Sequence, residues 1–163
     1  MTRPVLAAYD SPAGVEAVFA ALSGVDWAPR KAEALHDGSA TVRREVAADG
    51  SVQLVVSRRL PDGVPGFLQA FLPRDGRVVQ TDTWGAEQVG TRRGTWQADL
   101  PGAPARIGGT MRLEPTAAGT RYTIEGEVTV EVPLIGGKAE AFVADMIVQL
   151  TARENDVLQE MLG

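Results

Sequence analysis

The sequence contains no cysteine and only one histidine among its 163 residues. Disulfide bonds are therefore excluded, and the common zinc sites built from cysteine and histidine ligands cannot be assembled. We expect no bound metal and no cofactor. The single histidine, His36, precedes Asp37-Gly38 in a predicted turn, so we expect a surface side chain and not a general base.

Catalytic motifs are also absent. The sequence lacks the G-x-S-x-G nucleophile elbow, the H-E-x-x-H zinc motif and a phosphate-binding glycine loop. The absence of a motif does not exclude an enzyme that works mainly by holding its substrate in a productive conformation. Whether the protein is an enzyme therefore stays open at the level of sequence.

Long apolar runs and an excess of positive charge are missing too. No stretch approaches the roughly 18 apolar residues of a membrane span, and the first residues reach Asp10 and Pro12 before a secretory signal can form. We therefore expect a cytoplasmic protein without a membrane span. The net charge of −5 argues against a nucleic-acid partner, because such proteins draw most of their affinity from neutralising phosphates.

What the sequence does contain is typical of a folded globular protein. Its 44% of hydrophobic and 23% of charged residues are enough to form a core and a polar surface. The length suits one domain, and neither a repeat nor a linker is visible, so we expect residues 1–163 to form a single domain. The sequence does not indicate an oligomeric state.

The first 35 residues predict a strand and two short helices. Residues 3–10 have the composition of a strand, and Ser11 and Pro12 are suited to cap and begin a helix. A second helix is expected from Trp27 to Leu35. The apolar residues that recur at helical spacing in the first helix are Val15, Val18, Phe19 and Leu22.

Six further strands are predicted between residues 40 and 132. The first two form a hairpin at Asp49-Gly50, because glycine tolerates the positive φ of a tight turn, and the other four are separated by glycine, proline and aspartate. In the last strand apolar and polar residues alternate, which predicts one buried and one solvated face. The residues on its buried face are Tyr122, Ile124, Gly126, Val128, Val130 and Val132.

The stretch after this strand predicts a sharp turn into a long helix. Pro133 cannot donate to a sheet, Gly136-Gly137 allow the backbone to reverse, and Glu140 suits the positive end of a helix dipole. Apolar residues then follow a 3.6-residue period for about 25 residues. We predict that this helix lies across the sheet.

The order of these elements and several motifs resemble a known superfamily. The segments TDTWG, GEVTVEVPLIGGKAE and ENDVLQ are similar to an uncharacterised actinobacterial family of START-like proteins, whose superfamily includes polyketide cyclases and birch-pollen allergens. The resemblance covers nearly the whole chain. It implies an α+β helix-grip fold, in which a curved antiparallel sheet of about seven strands wraps around a long C-terminal helix, with two short helices after strand 1.

The resemblance also implies a cavity between sheet and helix, which in many members holds an apolar small molecule. Residues that share a strand face with apolar neighbours are candidates for its walls. The ligand-binding candidates are Trp84, Trp96, Met111, Tyr122, Phe142 and Met146, with Asp82 and Arg92 as polar members.

Several polar side chains are also predicted to point inward, because they lie on the same strand face as apolar neighbours. Because buried charge is costly unless it is paired or hydrated, they either turn outward at strand ends or anchor the polar part of a ligand. These residues are Arg44, Arg58, Gln80, Asp82 and Arg92.

The apolar segment of residues 64–72 is a longer connection than a hairpin requires. It is predicted either to plug one end of the core or, through Phe67 and Phe71, to act as a gate at a cavity mouth.

Three functions are compatible with these features. The leading hypothesis is binding or carriage of an apolar or amphipathic small molecule in the cavity. One alternative is a polyketide cyclase- or dehydratase-like enzyme, in which Asp82, Arg92 or Tyr122 orients the substrate. The other is a protein-interaction module that uses the apolar 64–72 segment.

Overall fold

The computed structural model describes residues 2–35, 40–60, 63–73 and 75–163, so His36 and its predicted turn lie outside the described residues. Each predicted strand and helix is present, and a short helix lies within the 64–72 segment. The elements are β1 (Arg3–Ser11), α1 (Val15–Leu22), α2 (Trp27–Leu35), β2 (Thr41–Val46), β3 (Val52–Arg59), α3 (Gly66–Gln69), β4 (Arg77–Trp84), β5 (Arg92–Asp99), β6 (Ala105–Thr116), β7 (Gly119–Val130) and α4 (Gly136–Leu162).

The seven strands form one antiparallel sheet in the order β1-β7-β6-β5-β4-β3-β2. Strands β2 to β7 are neighbours in the order in which they occur in the chain, and Gly50 supplies the positive φ of 90° in the hairpin between β2 and β3. Strands β1 and β2 lie at opposite edges, since α1 and α2 carry the chain between them. The sheet is curved and holds α4, which confirms the predicted α+β helix-grip fold.

Helix α4 packs against β1, β7, α1 and α2. Its 27 residues span about 40 Å at 1.5 Å per residue, slightly more than predicted. Near its C-terminal end Val157 and Leu158 are buried in one core cluster with Val18 of α1 and Val128 of β7. This half of the helix closes the core, and the other half faces a cavity.

The turn between β7 and α4 differs from the prediction in detail. The backbone reverses at Leu134, which has φ 70°, while Gly136 already belongs to the helix. Glycine is required at position 136 because a Cβ there would lie 2.7 Å from the carbonyl oxygen of Val130. Glu140 is buried, and its carboxylate accepts a hydrogen bond from the backbone N–H of Val130, so its contact with the end of β7 adds to the predicted dipole effect.

The predicted cap of α1 is also corrected. The helix begins at Val15 with Gly14 as its N-cap, because the chain continues as a strand through Ser11, which pairs with Thr120 of β7. The Ser11 hydroxyl donates to the side-chain oxygen of Gln159 at 3.1 Å instead. Ser11 therefore joins the end of β1 to α4.

Candidate functional site

A cavity of about 140 Å³ lies between the sheet and α4 and is partly open to solvent. An engineered cavity of about 150 Å³ is large enough to bind benzene. Side chains from five strands and from α2, α3 and α4 contribute to its walls. The core is therefore not completely filled, and the space suits a small molecule of about one ring.

One part of the wall is apolar. The α3 segment contributes Leu68 and Phe71, and α4 contributes Phe142 and Met146. On the sheet, Ala98 of β5 also lines the cavity and supplies only a methyl group. A small residue at such a position fills less of the space than a larger side chain would.

Another part of the wall is polar, and two neighbouring strands contribute to it. A terminal nitrogen of Arg58 on β3 donates to the side-chain oxygen of Gln80 on β4 at 3.4 Å. The amide nitrogen of Gln80 in turn donates to both carboxylate oxygens of Asp82, at 3.1 and 3.4 Å. The alternation of β4 places Gln80 and Asp82 on the same face. Gln80 therefore links a cation to an anion without direct contact between them.

Asp82 is half-buried and lines the cavity. Burial raises the pKa of its carboxyl above the ordinary value, and the positive charge of Lys31 and the hydrogen bond from Gln80 oppose that rise. The site therefore holds a carboxyl group whose ionisation is costly and which retains oxygen atoms that a ligand can reach.

Two helices bring a second pair of charges to the polar part. The Lys31 ammonium of α2 lies 3.6 Å from a carboxylate oxygen of Glu154 on α4. It also lies 4.7 Å from the centre of the Trp27 ring, which places a cation over an aromatic face. Both charged side chains are mostly buried, with 13% and 19% of their side-chain surface exposed. The ion pair is thus part of the cavity wall and not a surface contact.

Tyr122 of β7 also borders the cavity. Burial raises the pKa of its phenol well above the ordinary value, and the negative charge of Asp82 adds to the rise. The described residues supply no hydrogen-bond partner for its hydroxyl, whose oxygen is therefore not fully buried. It is therefore a neutral donor that a ligand can use.

Six of the eight predicted ligand-binding residues line this cavity. Whether they contact a ligand stays a prediction. They are Trp96, Met111, Tyr122, Phe142, Met146 and Asp82.

The prediction that Trp84 lines the cavity is corrected, because this residue lies in the solid core. Only 1% of its surface is exposed. Its ring packs edge-on against Phe19 of α1, with the ring centres 5.9 Å apart and an angle of 86° between the planes. The helix α1 covers this end of the sheet, so an inward side chain there meets protein and not the cavity.

The prediction for Arg92 is corrected as well, since α1 supplies this side chain with a partner, Glu16, and neither residue lines the cavity. Its guanidinium donates two hydrogen bonds to Glu16, at 2.8 and 3.0 Å. A third bond, of 3.1 Å, goes to the carbonyl of Gly85, and the ring of Phe19 lies 3.8 Å below the guanidinium carbon. These contacts occupy the side chain, and Arg92 is not among the residues that line the cavity.

The predicted gate residues are separated by the structure. Phe71 lines the cavity, whereas Phe67 points to the start of α4, where the Lys138 ammonium lies 4.4 Å from its ring centre. The role of either residue as a gate stays a prediction.

The sequence predictions did not include Lys31 and Glu154. Both belong to helices, and the prediction of polar wall residues considered strands only. A signal was present, because Lys31 follows Trp27 by four residues and Glu154 follows Leu150 by four, so each charge lies on the apolar stripe of its helix.

The fold and the cavity together define a START-like protein of the helix-grip class. Among the described residues no helix is long and apolar enough to cross a membrane. The model of the family described as protein of unknown function (DUF2505) matches residues 7–162, and the chain belongs to this family.

Relatives in mycobacteria agree with this assignment. The chain is 28% identical to the uncharacterised protein Rv0481c of Mycobacterium tuberculosis over 153 residues, which cover 89% of this chain and 88% of the relative. The same values hold for the uncharacterised protein Mb0491c of Mycobacterium bovis. The predicted resemblance to an actinobacterial START-like family is thereby confirmed.

Three solved structures show the shared fold. A START superfamily protein from Mycobacterium smegmatis is 13% identical with a TM-score of 0.60, covering 98% of this chain and 99% of that one. TTHA0849 from Thermus thermophilus is 16% identical with a TM-score of 0.64, covering 98% and 97%. A norcoclaurine synthase mutant from Thalictrum flavum, in complex with a transition-state analogue, is 12% identical with a TM-score of 0.63, covering 99% and 94%. At these identities the likeness concerns the fold.

Proposed function

We propose that this protein binds or carries an apolar or amphipathic small molecule in the cavity between the sheet and α4. The observation behind the proposal is the two-part wall, which is apolar beside α3 and polar beside α2 and β4. Ligand sites of this kind take most of their affinity from apolar contact and their orientation from a few polar groups. The whole chain is proposed to act as one domain, in the cytoplasm and without a nucleic-acid partner.

The size of the cavity limits the ligand. A volume of about 140 Å³ suits a single ring with a short chain better than a long acyl chain. Norcoclaurine synthase, which shares the fold, has a solved structure in complex with dopamine and hydroxybenzaldehyde. A ligand of similar size for this chain is compatible with its cavity.

The two alternative functions receive less support. The enzyme hypothesis loses Arg92, which is committed to Glu16, although Asp82 and Tyr122 do border the cavity. The interaction hypothesis required the 64–72 segment to present its apolar side chains to a partner. Leu68 and Phe71 instead face the cavity, and Leu68 is 6% exposed. Binding of a small molecule is compatible with both observations: Asp82 and Tyr122 border the cavity, and Leu68 and Phe71 form part of its wall.

The proposal is tested by native mass spectrometry of freshly purified protein, followed by denaturing analysis of any molecule that leaves it. Ala98→Phe fills the cavity from β5, and Thr95→Phe is its matched control, since Thr95 is exposed on the same strand. We expect an adduct on the wild type and on the control variant but not on Ala98→Phe. An adduct that persists in Ala98→Phe contradicts the proposal. So does a wild type that carries no adduct and that no apolar or amphipathic compound stabilises against heat.

A further inference from the structure

The charges on the cavity wall balance. Within the described part of the chain, four charged side chains line the cavity. Two are cations, Lys31 and Arg58, and two are anions, Asp82 and Glu154. Their formal sum is zero when all four are ionised.

This balanced set still has unused hydrogen-bonding capacity. Arg58 donates only to Gln80, and no carboxylate of the described residues lies within 4 Å of it. Among the described residues, Gln80 alone donates to the Asp82 carboxylate. The phenol of Tyr122, which also lines the cavity, adds a third group for which that part of the chain supplies no hydrogen-bond partner. A ligand thus meets donors and an acceptor side by side.

We propose that the cavity selects a molecule with an uncharged polar head, such as a hydroxyl group, held between Arg58, Asp82 and Tyr122, with its apolar body against α3 and α4. This inference rests on the proposed function and adds the chemistry of the ligand's head. A hydroxyl both donates and accepts, so it can satisfy Asp82 and Arg58 together.

A charged head fits this site less well. When all four side chains are ionised, an ammonium adds a positive charge and a carboxylate a negative charge to a group that is already neutral, in a cavity only partly open to solvent. A buried charge without a counter-charge is costly, whereas a neutral hydrogen-bonding group loses little on transfer once its bonds are made. The balance of the wall therefore favours the neutral head over both ions.

The experiment uses four compounds with one skeleton: 3-phenylpropanol, 3-phenylpropanoate, 3-phenylpropylammonium and propylbenzene. Binding to the wild type is measured by protein-observed NMR titration at pH 8, which favours the ionised form of Asp82. We expect 3-phenylpropanol to bind at least about tenfold more tightly than either ion. A wild type that prefers the carboxylate or the ammonium overturns the inference and leaves the proposed function intact.

Two substitutions test the charge balance in opposite directions. Asp82→Asn leaves a net positive wall, so its preference shifts at least about tenfold toward 3-phenylpropanoate. Arg58→Gln leaves a net negative wall, so its preference shifts toward 3-phenylpropylammonium. The control Asp145→Asn removes a charge from the exposed side of α4 and leaves the preferences unchanged.

A wild type that binds propylbenzene as tightly as 3-phenylpropanol also overturns the inference. The inference is overturned if the ligand preferences of the two variants shift in the same direction or do not shift. If Arg58→Gln does not fold, the shift in preference of Asp82→Asn alone tests the inference. Failure of all four compounds, propylbenzene included, to bind the wild type overturns the proposed function and the inference with it.

Discussion

The carboxylate of Glu140 accepts a hydrogen bond of 2.9 Å from the backbone N–H of Val130. The bond joins the last residue of β7 to the second turn of α4, and Glu140 is only 1% exposed. The pairing of β1 with β7 reaches only from Ser11 to Arg3, which lies opposite Val128, so no residue of β1 lies opposite Val130 and the side chain of the helix supplies the acceptor.

Glu140→Ala should therefore destabilise the protein. It leaves the Val130 N–H buried without an acceptor, which costs about 1–3 kcal/mol. Chemical denaturation measures the loss, and Glu140→Gln, which keeps an oxygen acceptor, is expected to lose less. Equal stability of Glu140→Ala and the wild type would show that this bond does not hold the helix to the strand.

The contact between Arg92 and Glu16 predicts an asymmetric pair of effects. Arg92 is 8% exposed and also binds a backbone carbonyl and the Phe19 ring, whereas the Glu16 side chain is 59% exposed. We expect Arg92→Lys to cost about 1–3 kcal/mol, since a lysine cannot reproduce the planar, bidentate contact. Glu16→Gln should cost less than about 1 kcal/mol, because exposed ion pairs contribute little. The free energy of unfolding, measured at pH 7, should fall further in Arg92→Lys than in Glu16→Gln. A larger loss in Glu16→Gln would contradict the assignment of Arg92 as the buried partner.

Acid should weaken the same ion pair. The hydrogen bond from Arg92 holds the pKa of the Glu16 carboxyl below its ordinary value. The stabilisation is therefore present above the pKa of Glu16 in the unfolded chain and is lost as the pH falls through the lower folded-state pKa. Glu16→Gln should lose its stability difference from the wild type in that acidic range. The prediction is wrong if the stability difference between Glu16→Gln and the wild type stays constant down to the lowest pH at which the protein folds.

Asp82 should show the opposite pH dependence. Burial raises its pKa in the folded state, so the folded protein holds this proton more tightly than the unfolded chain. The corresponding stability is complete below the unfolded-state pKa, about 3.9, and is lost as the pH rises through the folded-state pKa. Asp82→Asn keeps an oxygen that can accept from Gln80 and removes the charge. Relative to the wild type, this variant should therefore gain stability as the pH rises from about 4 to 8.

Denaturant unfolding at several pH values measures this gain, with Asp145→Asn as the control. The control lies on the exposed side of α4 and should follow the wild type at every pH. If the difference between Asp82→Asn and the wild type does not change with pH, the ionisation of Asp82 is not costly in the folded protein.

The sheet and α4 could be predicted from sequence because their signals are local. Alternation in β7 and the 3.6-residue period after Pro133 depend only on neighbouring residues. The same parity argument identified Trp96 and Asp82 as inward, and both line the cavity. The general position of the site was thus accessible from the sequence and the resemblance together.

What could not be predicted depends on which distant element covers each inward residue. Trp84 and Trp96 share the same parity, yet α1 covers the first and leaves the second beside the cavity. Arg92 finds its partner 76 residues away. The alternation along a strand tells which face of the sheet a side chain lies on. It does not tell how deeply the side chain is buried or which residue it contacts, because these depend on the packing between elements.

The last prediction concerns the close approach of Trp96 to two strands. Its indole N–H donates to the carbonyl of Glu125 at 3.0 Å, and the ring lies so near β7 that a Cβ at Gly126 would be 2.5 Å from it and equally close to the carbonyl of Gly108. The absence of a side chain at Gly126 is what allows Trp96 to lie against the sheet as part of the cavity wall.

Gly126→Ala should therefore cost about 1–3 kcal/mol, as overpacking of a tight core usually does. It should also push Trp96 toward the cavity, so binding of a cavity ligand such as 3-phenylpropanol weakens together with stability. Gly66→Ala is the control, because a Cβ at the start of α3 would meet nothing within 4 Å. Thermal unfolding and NMR titration of both variants check the prediction. Wild-type stability in Gly126→Ala would mean that strands β6 and β7 can separate enough to accept the methyl group, and the indole would then not be fixed by the sheet.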